Sequence, residues 1–354
     1  MRIVLAKRCP LPHWLQLLVP VAAIVVTLIL AAIPILFAGG DLKLSYITLF
    51  KGALGTRYNI LETCVKACPL ILTGLAVAFA FRAKFWNIGA EGQLMAGAIV
   101  AAAIGINAPE GTPMMVLLPL ILVTGFVAGG AWAFIPALLK MKLKVDDVVT
   151  TLILNYVMFH IMGFLLFGPM QQPNSSWPRS AGIVDAARLP VLLARSRFHV
   201  GILLALVMVL VIWFINSKTV LGYETKAVGV NPTASFFGGI NNTKIVFLTA
   251  LISGGLAGLA GVMEVAGIHF HLLMDISPGY GYSGIPIAML GRLHPIGTAL
   301  SAFFFSVIIV GAQSMSRMTG VPVYIAEVIQ GMALIVMLIC QRSEERRVGK
   351  ECRS

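Results

Sequence analysis

Long runs of apolar residues restrict the fold of this chain more than any other feature. Runs of spanning length, bounded by charged residues, Pro, Gly or Asn, lie at 17–38, 62–81, 88–106, 113–139, 148–168, 200–216, 245–267, 295–313 and 322–340. A helix needs about 20 apolar residues to cross a hydrocarbon core of roughly 30 Å. Each of these runs therefore predicts a transmembrane helix.

A further, shorter run at 283–291 contains Pro286 and ends at Gly291. It suits a half-helix or a short crossing lined by protein, and the sequence leaves open whether it crosses or re-enters. Only 11% of the 354 residues are charged, whereas a soluble domain carries about a quarter. The expected fold is all-α: a polytopic membrane helix bundle of about ten transmembrane helices, one of them short or broken.

The distribution of Lys and Arg predicts the orientation. If the short run crosses, one side of the membrane holds the segments 1–16, 82–87, 140–147, 217–244, 292–294 and 341–354. These segments carry 17 of the 26 Lys and Arg residues, so both termini are predicted to be cytoplasmic. We expect a single transmembrane domain over 1–340. The polar tail 341–354 changes abruptly in composition, and we assign it no function; whether it is native sequence stays open.

Motifs for catalysis are missing from the sequence. It has no HExxH, no GxSxG and no CxxC pair, and its one Gly-Lys pair, Gly349-Lys350, is followed by Glu rather than Ser or Thr. We therefore expect no enzyme, no ATP hydrolysis by the chain itself, and no bound metal or cofactor.

Polar residues at membrane depth are costly there and are the candidates for function. Four carboxylates qualify by position: Glu62, Glu91, Glu264 and Glu327. Glu62 and Glu327 lie near helix ends, where the side chain can reach the interface at little cost. The residues predicted to line a substrate pathway are Asn87, Glu91, Gln93 and Asn155.

Two interpretations of the segment 85–93 stay open. In the first, Gly89 and Gly92 break the helix near its start, and the polar groups face a water-filled path or hold the broken backbone together. In the second, Asn87 is a plain helix N-cap and Glu91 is a first-turn carboxylate favoured by the helix dipole. A structural lock at the mouth of the pathway would satisfy both.

The segment 217–244 is long for a connection between spans. Asn231-Pro232 predicts an N-cap and a first-turn proline, starting a short helix that ends at Gly238-Gly239. We interpret this helix as a docking element that exposes Phe236 and Phe237 on the cytoplasmic surface. The alternative, a helix resting on lipid, is usually richer in basic residues.

Small residues predict a packing seam. Gly125-xxx-Gly129 and Gly254-xxx-Gly258 each place two glycines on one helix face inside an apolar run. Such faces let helix backbones approach closely.

Five stretches of the sequence resemble a known family. They are FWNIGAEGQ at 85–93, LKVDDVVTTLILNYV at 143–157, AVGVNPTASFFGGIN at 227–241, ISGGLAGLAGVMEVAG at 252–267 and GYGYSGIPIAMLGRLHPIG at 279–297. Together they resemble the permease subunits of bacterial ABC importers for nucleosides and simple sugars, within the wider branched-chain amino acid and ribose-like permease family. The resemblance is closest to nucleoside-type permeases that work with a basic-membrane-protein-like lipoprotein, and it runs from about residue 15 to 340.

The resemblance implies half of a transmembrane pathway in the bacterial cytoplasmic (inner) membrane. It implies four kinds of partner: a second related permease, ATP-binding subunits that carry ATP and Mg, an extracytoplasmic substrate-binding lipoprotein, and the lipid membrane. The segment 217–244 matches the family's coupling loop. The ATPase contact therefore carries over to Glu224, Gly229, Asn231, Pro232, Ala234, Gly239, Ile240 and Asn241.

One departure from the family pattern is clear. Where the family commonly has Asn-Glu, this chain has Asp146-Asp147, and the role of the pair stays open. No nucleic-acid partner is expected, because the net charge of +12 comes from basic residues in loops and not from a binding stripe.

The alternative function is an ion- or proton-coupled secondary transporter, which would need its own site near the midplane. Glu91 and Glu264 are its only plausible carriers, and a non-transporting scaffold would explain neither the buried polar groups nor the loop. Nucleoside is the first choice of substrate and a simple sugar the second. The sequence does not decide between a homodimer and a heterodimer of permeases.

Overall fold

The computed structural model describes residues 13–109, 111–173 and 177–351, without the side chains of 13–19 and 340–351. Within these ranges the chain forms helices, three isolated β-bridges and no strand. The helices are α1 (His13–Phe37), α2 (Leu42–Leu54), α3 (Arg57–Arg82), α4 (Ala90–Asn107), α5 (Met114–Leu143), α6 (Asp147–Leu166), α7 (Gly201–Lys218), α8 (Val220–Val230), α9 (Pro232–Phe237), α10 (Asn242–Glu264), α11 (Tyr280–Leu290), α12 (Pro295–Thr319) and α13 (Ile325–Glu351). A 3-10 turn at Asp185–Ala187 and a π-turn at Val265–His269 complete the set.

Eight of the described helices are long and apolar enough to cross a membrane. They are α1, α3, α4, α5, α6, α7, α10 with its π-turn, and α12. The apolar part of α13, Ile325–Ile339, is shorter than these. Every run predicted to span the membrane thus falls in a helix, and the chain is a multi-pass membrane protein.

The chain divides into two compact units. The first comprises residues up to Thr56 together with those from Val307 onward. Within it α1 packs against α13, and Gly311 of α12 lies against the backbone of Leu49 in α2.

The second unit, Arg57–Ser306, has α10 at its centre, packed against α3, α4 and α5. The predicted glycine seam is confirmed where α10 meets α5. A Cβ at Gly254 would overlap the carbonyl oxygen of Gly129, and one at Gly258 would overlap that of Gly125. The two backbones therefore touch directly, which fixes the position of α10 in this unit.

The short run at 283–291 forms α11, which begins three residues earlier than the run. Its 11 residues, at 1.5 Å each, extend about 16 Å, roughly half of a hydrocarbon core. Most of its side chains are buried, including Tyr280, Pro286 and Ile287. The run therefore forms a short helix lined by protein, as expected of either a half-helix or a short crossing.

Two described helices lie where the sequence analysis expected connections. Asp41 caps α2, with its Oδ1 accepting a hydrogen bond from the Leu44 N–H at 2.7 Å. The segment 217–244 contains α8 as well as the predicted short helix α9. Gly222 and Gly229 lower the helix propensity of α8, but both are buried against backbone, and this packing outweighs propensity.

Candidate functional site

The turn between α3 and α4, residues 83–89, is held by side chains from α5 and α6. The Trp86 N–H donates to Asp147 Oδ2 at 2.7 Å. Lys140 Nζ donates to the same oxygen at 2.6 Å and to the Lys84 carbonyl at 2.8 Å. The Ile88 N–H donates to Thr151 Oγ1 at 3.2 Å. The start of α4 is therefore set by the junction of α5 and α6.

These contacts separate the roles of the two aspartates. Asp146 is the N-cap of α6, and its Oδ1 accepts from the Val149 N–H at 3.0 Å. Asp147 is buried and forms the ion pair with Lys140.

Asn87 and Gln93 form a reciprocal amide pair inside the unit. Asn87 Nδ2 donates to Gln93 Oε1 at 2.9 Å, and Gln93 Nε2 donates to Asn87 Oδ1 at 2.8 Å. Asn87 Nδ2 also donates to Ser253 Oγ of α10 at 2.9 Å. Both amides are fully buried. They tie the turn to α4 and α10.

The N-cap interpretation of Asn87 is wrong. The N-cap of α4 is Gly89, which makes no side-chain cap, while Asn87 Oδ1 accepts from the Gly89 N–H at 3.0 Å. Hydrogen bonds to Gly89, Gln93 and Ser253 already hold the Asn87 amide. Asn87 therefore stabilises the segment 83–89 and does not cap α4. This arrangement agrees with one part of the first interpretation, in which polar groups hold the broken backbone together.

Asn155 joins α6 to the same turn. Its Oδ1 accepts from the Gly92 N–H at 2.9 Å, and its Nδ2 donates to the Ile88 carbonyl at 3.0 Å and to the Tyr282 hydroxyl at 3.2 Å. Asn155 is buried, whereas Tyr282 is partly exposed.

Glu91 lies in the first turn of α4 but caps a different helix. Its Oε2 accepts from the Gly281 N–H at 2.7 Å, and the Ser277 hydroxyl and the backbone of Gly279 and Tyr282 also donate to the carboxylate. The N-terminal residue Gly279 supplies no side-chain cap of its own. A carboxylate at a helix N-terminus meets both the free N–H groups and the positive end of the dipole. Glu91 is therefore a cap for α11 supplied from α4.

The structure thus brings Asn87, Glu91, Gln93 and Asn155 together in one polar cluster. Sequence analysis missed its other members: Asp147, Thr151, Ser253, Ser277 and Tyr282. A signal was present for two of them, because Asp147, Thr151 and Asn155 are spaced by four residues and share a face of α6.

The other carboxylates lie apart from this cluster. Glu62 was expected to reach the membrane interface. Instead it is buried and forms a bidentate ion pair with Arg197. Glu327 is exposed. Glu264 is fully buried, and its Oε2 lies 3.4 Å from Nε2 of His269. Burial lowers the pKa of the nearby His199 to about 4, against the opposing influence of Glu264.

The helix α9 and its caps form a second candidate site. Asn231 Oδ1 accepts from the Thr233 and Ala234 N–H groups, both at 3.1 Å, so the predicted N-cap is confirmed. Asn242, the first residue of α10, holds α9 from the side, donating to the Pro232 carbonyl at 2.7 Å and accepting from Ser235 Oγ at 2.9 Å. Phe236 and Phe237 are 64% and 84% exposed, as predicted.

The residues assigned to the coupling loop differ in their surroundings. Asn231 and Asn241 cap α9 and α10, and Gly239 has a φ of 83°, which a glycine adopts without strain. Pro232 and Ala234 are exposed, whereas Glu224 and Ile240 are half-buried. Gly229 is buried against the end of α3. Most of these residues shape the segment, and the two phenylalanines supply its exposed apolar surface.

Comparison with known proteins matches the chain to permeases. The profile described as "Branched-chain amino acid transport system / permease component" matches residues 59–338. The glucose ABC transporter permease TsgB13 of Haloferax volcanii is 34% identical over 98% of this chain and 93% of its own length. Two guanosine ABC transporter permeases of Bacillus subtilis also match. NupP is 35% identical over 92% of this chain and 93% of its length, and NupQ is 29% identical over 72% and 80%. No solved structure matches the chain.

Proposed function

The chain belongs to the family of branched-chain amino acid transport system permease components, and on that premise we propose that it forms half of the pathway of an ABC importer for a nucleoside. A simple sugar is the second choice of substrate. The guanosine permease NupP and the glucose permease TsgB13 resemble this chain to nearly the same degree, 35% and 34%. The second guanosine permease, NupQ, adds weight to the nucleoside.

The proposal also covers the membrane location, the orientation and the partner proteins of the chain. It lies in the bacterial cytoplasmic membrane, crosses about ten times as one permease domain over 1–340, and keeps both termini in the cytoplasm. The excess of Lys and Arg in the segments on that side supports this orientation. ATP and Mg bind to separate ATP-binding subunits, and a lipoprotein delivers the substrate from outside. The second permease is a related and different chain, a proposal supported by the two distinct Bacillus subtilis permeases that match this one.

The observation that carries the coupling assignment is the exposed pair Phe236 and Phe237. These two aromatic side chains project from a rigidly capped helix between α8 and α10, at the end of the bundle where α3 ends. Exposed aromatic residues on a fixed scaffold are typical of protein interfaces. We assign this surface to the contact with the ATP-binding subunit, with Asn231, Asn241 and Gly239 holding its shape.

The polar cluster has a supporting role in this proposal. The amides of Asn87, Gln93 and Asn155 and the carboxylate of Glu91 are turned toward one another and toward backbone. They hold α4 and α11 in place beside the pathway, where Tyr282 is the partly exposed member of the cluster.

Co-purification tests the coupling assignment. Replacing Phe236 and Phe237 together with Ala should weaken binding of the ATP-binding subunit at least tenfold, because interface aromatics commonly contribute about 2 kcal/mol each. The permease should still insert, because neither ring is buried in the bundle. The control is Phe167→Ala, which removes an equally exposed ring at the C-terminal end of α6. Undiminished recovery of the ATP-binding subunit with the double variant would refute the assignment.

A further inference from the structure

Gly229 brings α8 into direct backbone contact with the end of α3. A Cβ at Gly229 would overlap the carbonyl oxygen of Arg82 and lie 2.9 Å from its carbon and 3.4 Å from Ala83 Cα. Contacts under 3.0 Å essentially never occur for real Cβ atoms, and here the obstacle is backbone, which cannot rotate away as a side chain can. Only glycine therefore allows α8 to rest on the residue where α3 passes into the turn 83–89.

Side chains at the α5–α6 junction also bind the turn 83–89. Lys140 donates to the Lys84 carbonyl, and Asp147 accepts from the Trp86 N–H. Lys140 also lies over the ring of Phe85, 5.5 Å from its centroid. The turn is thus held between α8 at its start and the Lys140–Asp147 ion pair along its middle. A displacement of α8 relative to the α5–α6 junction must therefore deform it.

The end of the turn enters the polar cluster. Asn87 is bonded to Gln93 of α4 and Ser253 of α10. Glu91, which precedes Gln93 by two residues in α4, caps the N-terminus of α11. Packed and hydrogen-bonded contacts therefore run without interruption from α8 and α9, through the turn, to the half-helix α11.

We propose that the turn 83–89 transmits movement of α8 and α9 to α4 and the half-helix α11, and that Gly229 is the positioning residue at its input. The inference rests on the proposed function, because it takes α9 as the ATPase contact. It specifies a route inside the chain. Movement of α8 displaces the Arg82 carbonyl, and the turn then shifts relative to the Asp147–Lys140 ion pair. Because Glu91 caps α11, the displacement of α4 reaches α11. Energetic coupling of this kind travels through contiguous packed and hydrogen-bonded elements.

The test compares Gly229→Ala with a matched helical glycine. Gly163→Ala in α6 makes the same substitution where the nearest atom is the Met274 methyl at 3.6 Å, an ordinary contact. Both variants are assembled with the partner permease, ATP-binding subunits and binding lipoprotein and reconstituted in proteoliposomes. Gly229→Ala should retain the ATP-binding subunit but transport at least fivefold less substrate per ATP hydrolysed, within the usual range of coupling between sites. Gly163→Ala should match the wild type.

Hydrogen exchange supplies a second readout that a merely structural defect would not reproduce. In the wild-type complex, ATP should change the protection of the Trp86 and Ile88 amides, whose acceptors are Asp147 and Thr151. That ATP-dependent change should be lost in Gly229→Ala. If Gly229→Ala does not assemble, Asp147→Asn takes its place, since it removes the charge that pairs with Lys140. Asp147→Glu, which keeps the charge, should restore substrate transported per ATP.

The outcomes separate this inference from the proposed function. Normal transport per ATP in Gly229→Ala, or an unchanged ATP response at the Trp86 and Ile88 amides, overturns the transmission role while leaving the importer intact. Equal transport per ATP in the Asp147→Asn and Asp147→Glu variants overturns it likewise. A wild-type complex that shows no ATP-driven uptake contradicts the proposed function itself.

Discussion

At the scale of single residues, Glu91 illustrates how a carboxylate is accommodated in a membrane bundle. An ionised carboxylate in the middle of a lipid-facing helix costs about 2.5–3.5 kcal/mol even by lenient insertion scales. Glu91 avoids that cost because it faces the N-terminus of α11, where the Gly281 N–H and its neighbours need an acceptor. The contact satisfies the carboxylate and the free N–H groups together, since Gly279, the N-cap residue of α11, has no side chain that could accept from them.

This geometry predicts different outcomes for two substitutions of Glu91. Glu91→Gln keeps a carbonyl oxygen that can accept from the Gly281 N–H, so most uptake should remain, with an unchanged pH profile. Glu91→Ala leaves buried N–H groups without an acceptor and should lower the free energy of unfolding by about 1–3 kcal/mol, with loss of expression or transport. Uptake assays from pH 5 to 8 and thermal unfolding measure both. If the Gln variant folds but is as inactive as the Ala variant, the charge itself is required and a capping role is insufficient.

Single residues were predictable where their partners are close in sequence. The N-cap Asn231, its Pro232 and the exposed phenylalanines follow from one short segment. The role of Asn87 could not be read in this way, because its partner Ser253 lies 166 residues away and no local pattern encodes that contact. For the same reason, the ion pair between Glu62 and Arg197, 135 residues apart, was missed.

At the scale of helices, the seam between α5 and α10 brings two helix backbones into direct contact in the second unit. Carbonyl oxygens of one helix lie where side chains of the other would begin at Gly129, Gly254 and Gly258, and at Gly125 a side chain would meet a methyl group of Val262. Small residues in such seams allow the close van der Waals packing that holds membrane helices together, because lipid gives no hydrophobic driving force between them.

The seam predicts a large effect from one added side chain. Gly258→Val should lower the free energy of unfolding by about 1–3 kcal/mol or force α10 away from α5, because the new atoms meet backbone. Thermal unfolding in detergent measures the effect. Gly163→Val is the control, because it adds the same side chain near only a flexible methionine. Equal melting temperatures for the two variants would contradict close backbone packing at Gly258.

Helices were predicted well where apolar length alone decides, and less well elsewhere. All of the spanning runs lie in helices because about 20 apolar residues have no other stable arrangement in lipid. The helices α2 and α8 were missed because they are short and contain polar residues or glycine. Their helical state depends on caps and on packing, such as that of Gly229 on the Arg82 carbonyl.

At the scale of the whole molecule, the family and the multi-pass architecture were both within reach of the sequence. Composition and the long apolar runs indicated a membrane protein, and the five collinear stretches indicated the family that the profile over residues 59–338 then matched. The arrangement of buried polar residues around α11 was not within reach, since it joins α4, α6, α10 and α11 through side chains distant in sequence.

The central claim is that this chain is a passive pathway powered by a separate ATP-binding subunit. Uptake of labelled guanosine into proteoliposomes tests it most directly, comparing the purified chain with the complete assembly of two permeases, ATP-binding subunits and binding lipoprotein. We predict uptake by the complete assembly only, dependent on ATP and insensitive to collapse of proton and sodium gradients, and neither ATP hydrolysis nor uptake by the chain alone. Guanosine accumulation by the chain alone, driven by an imposed proton gradient, would contradict the account.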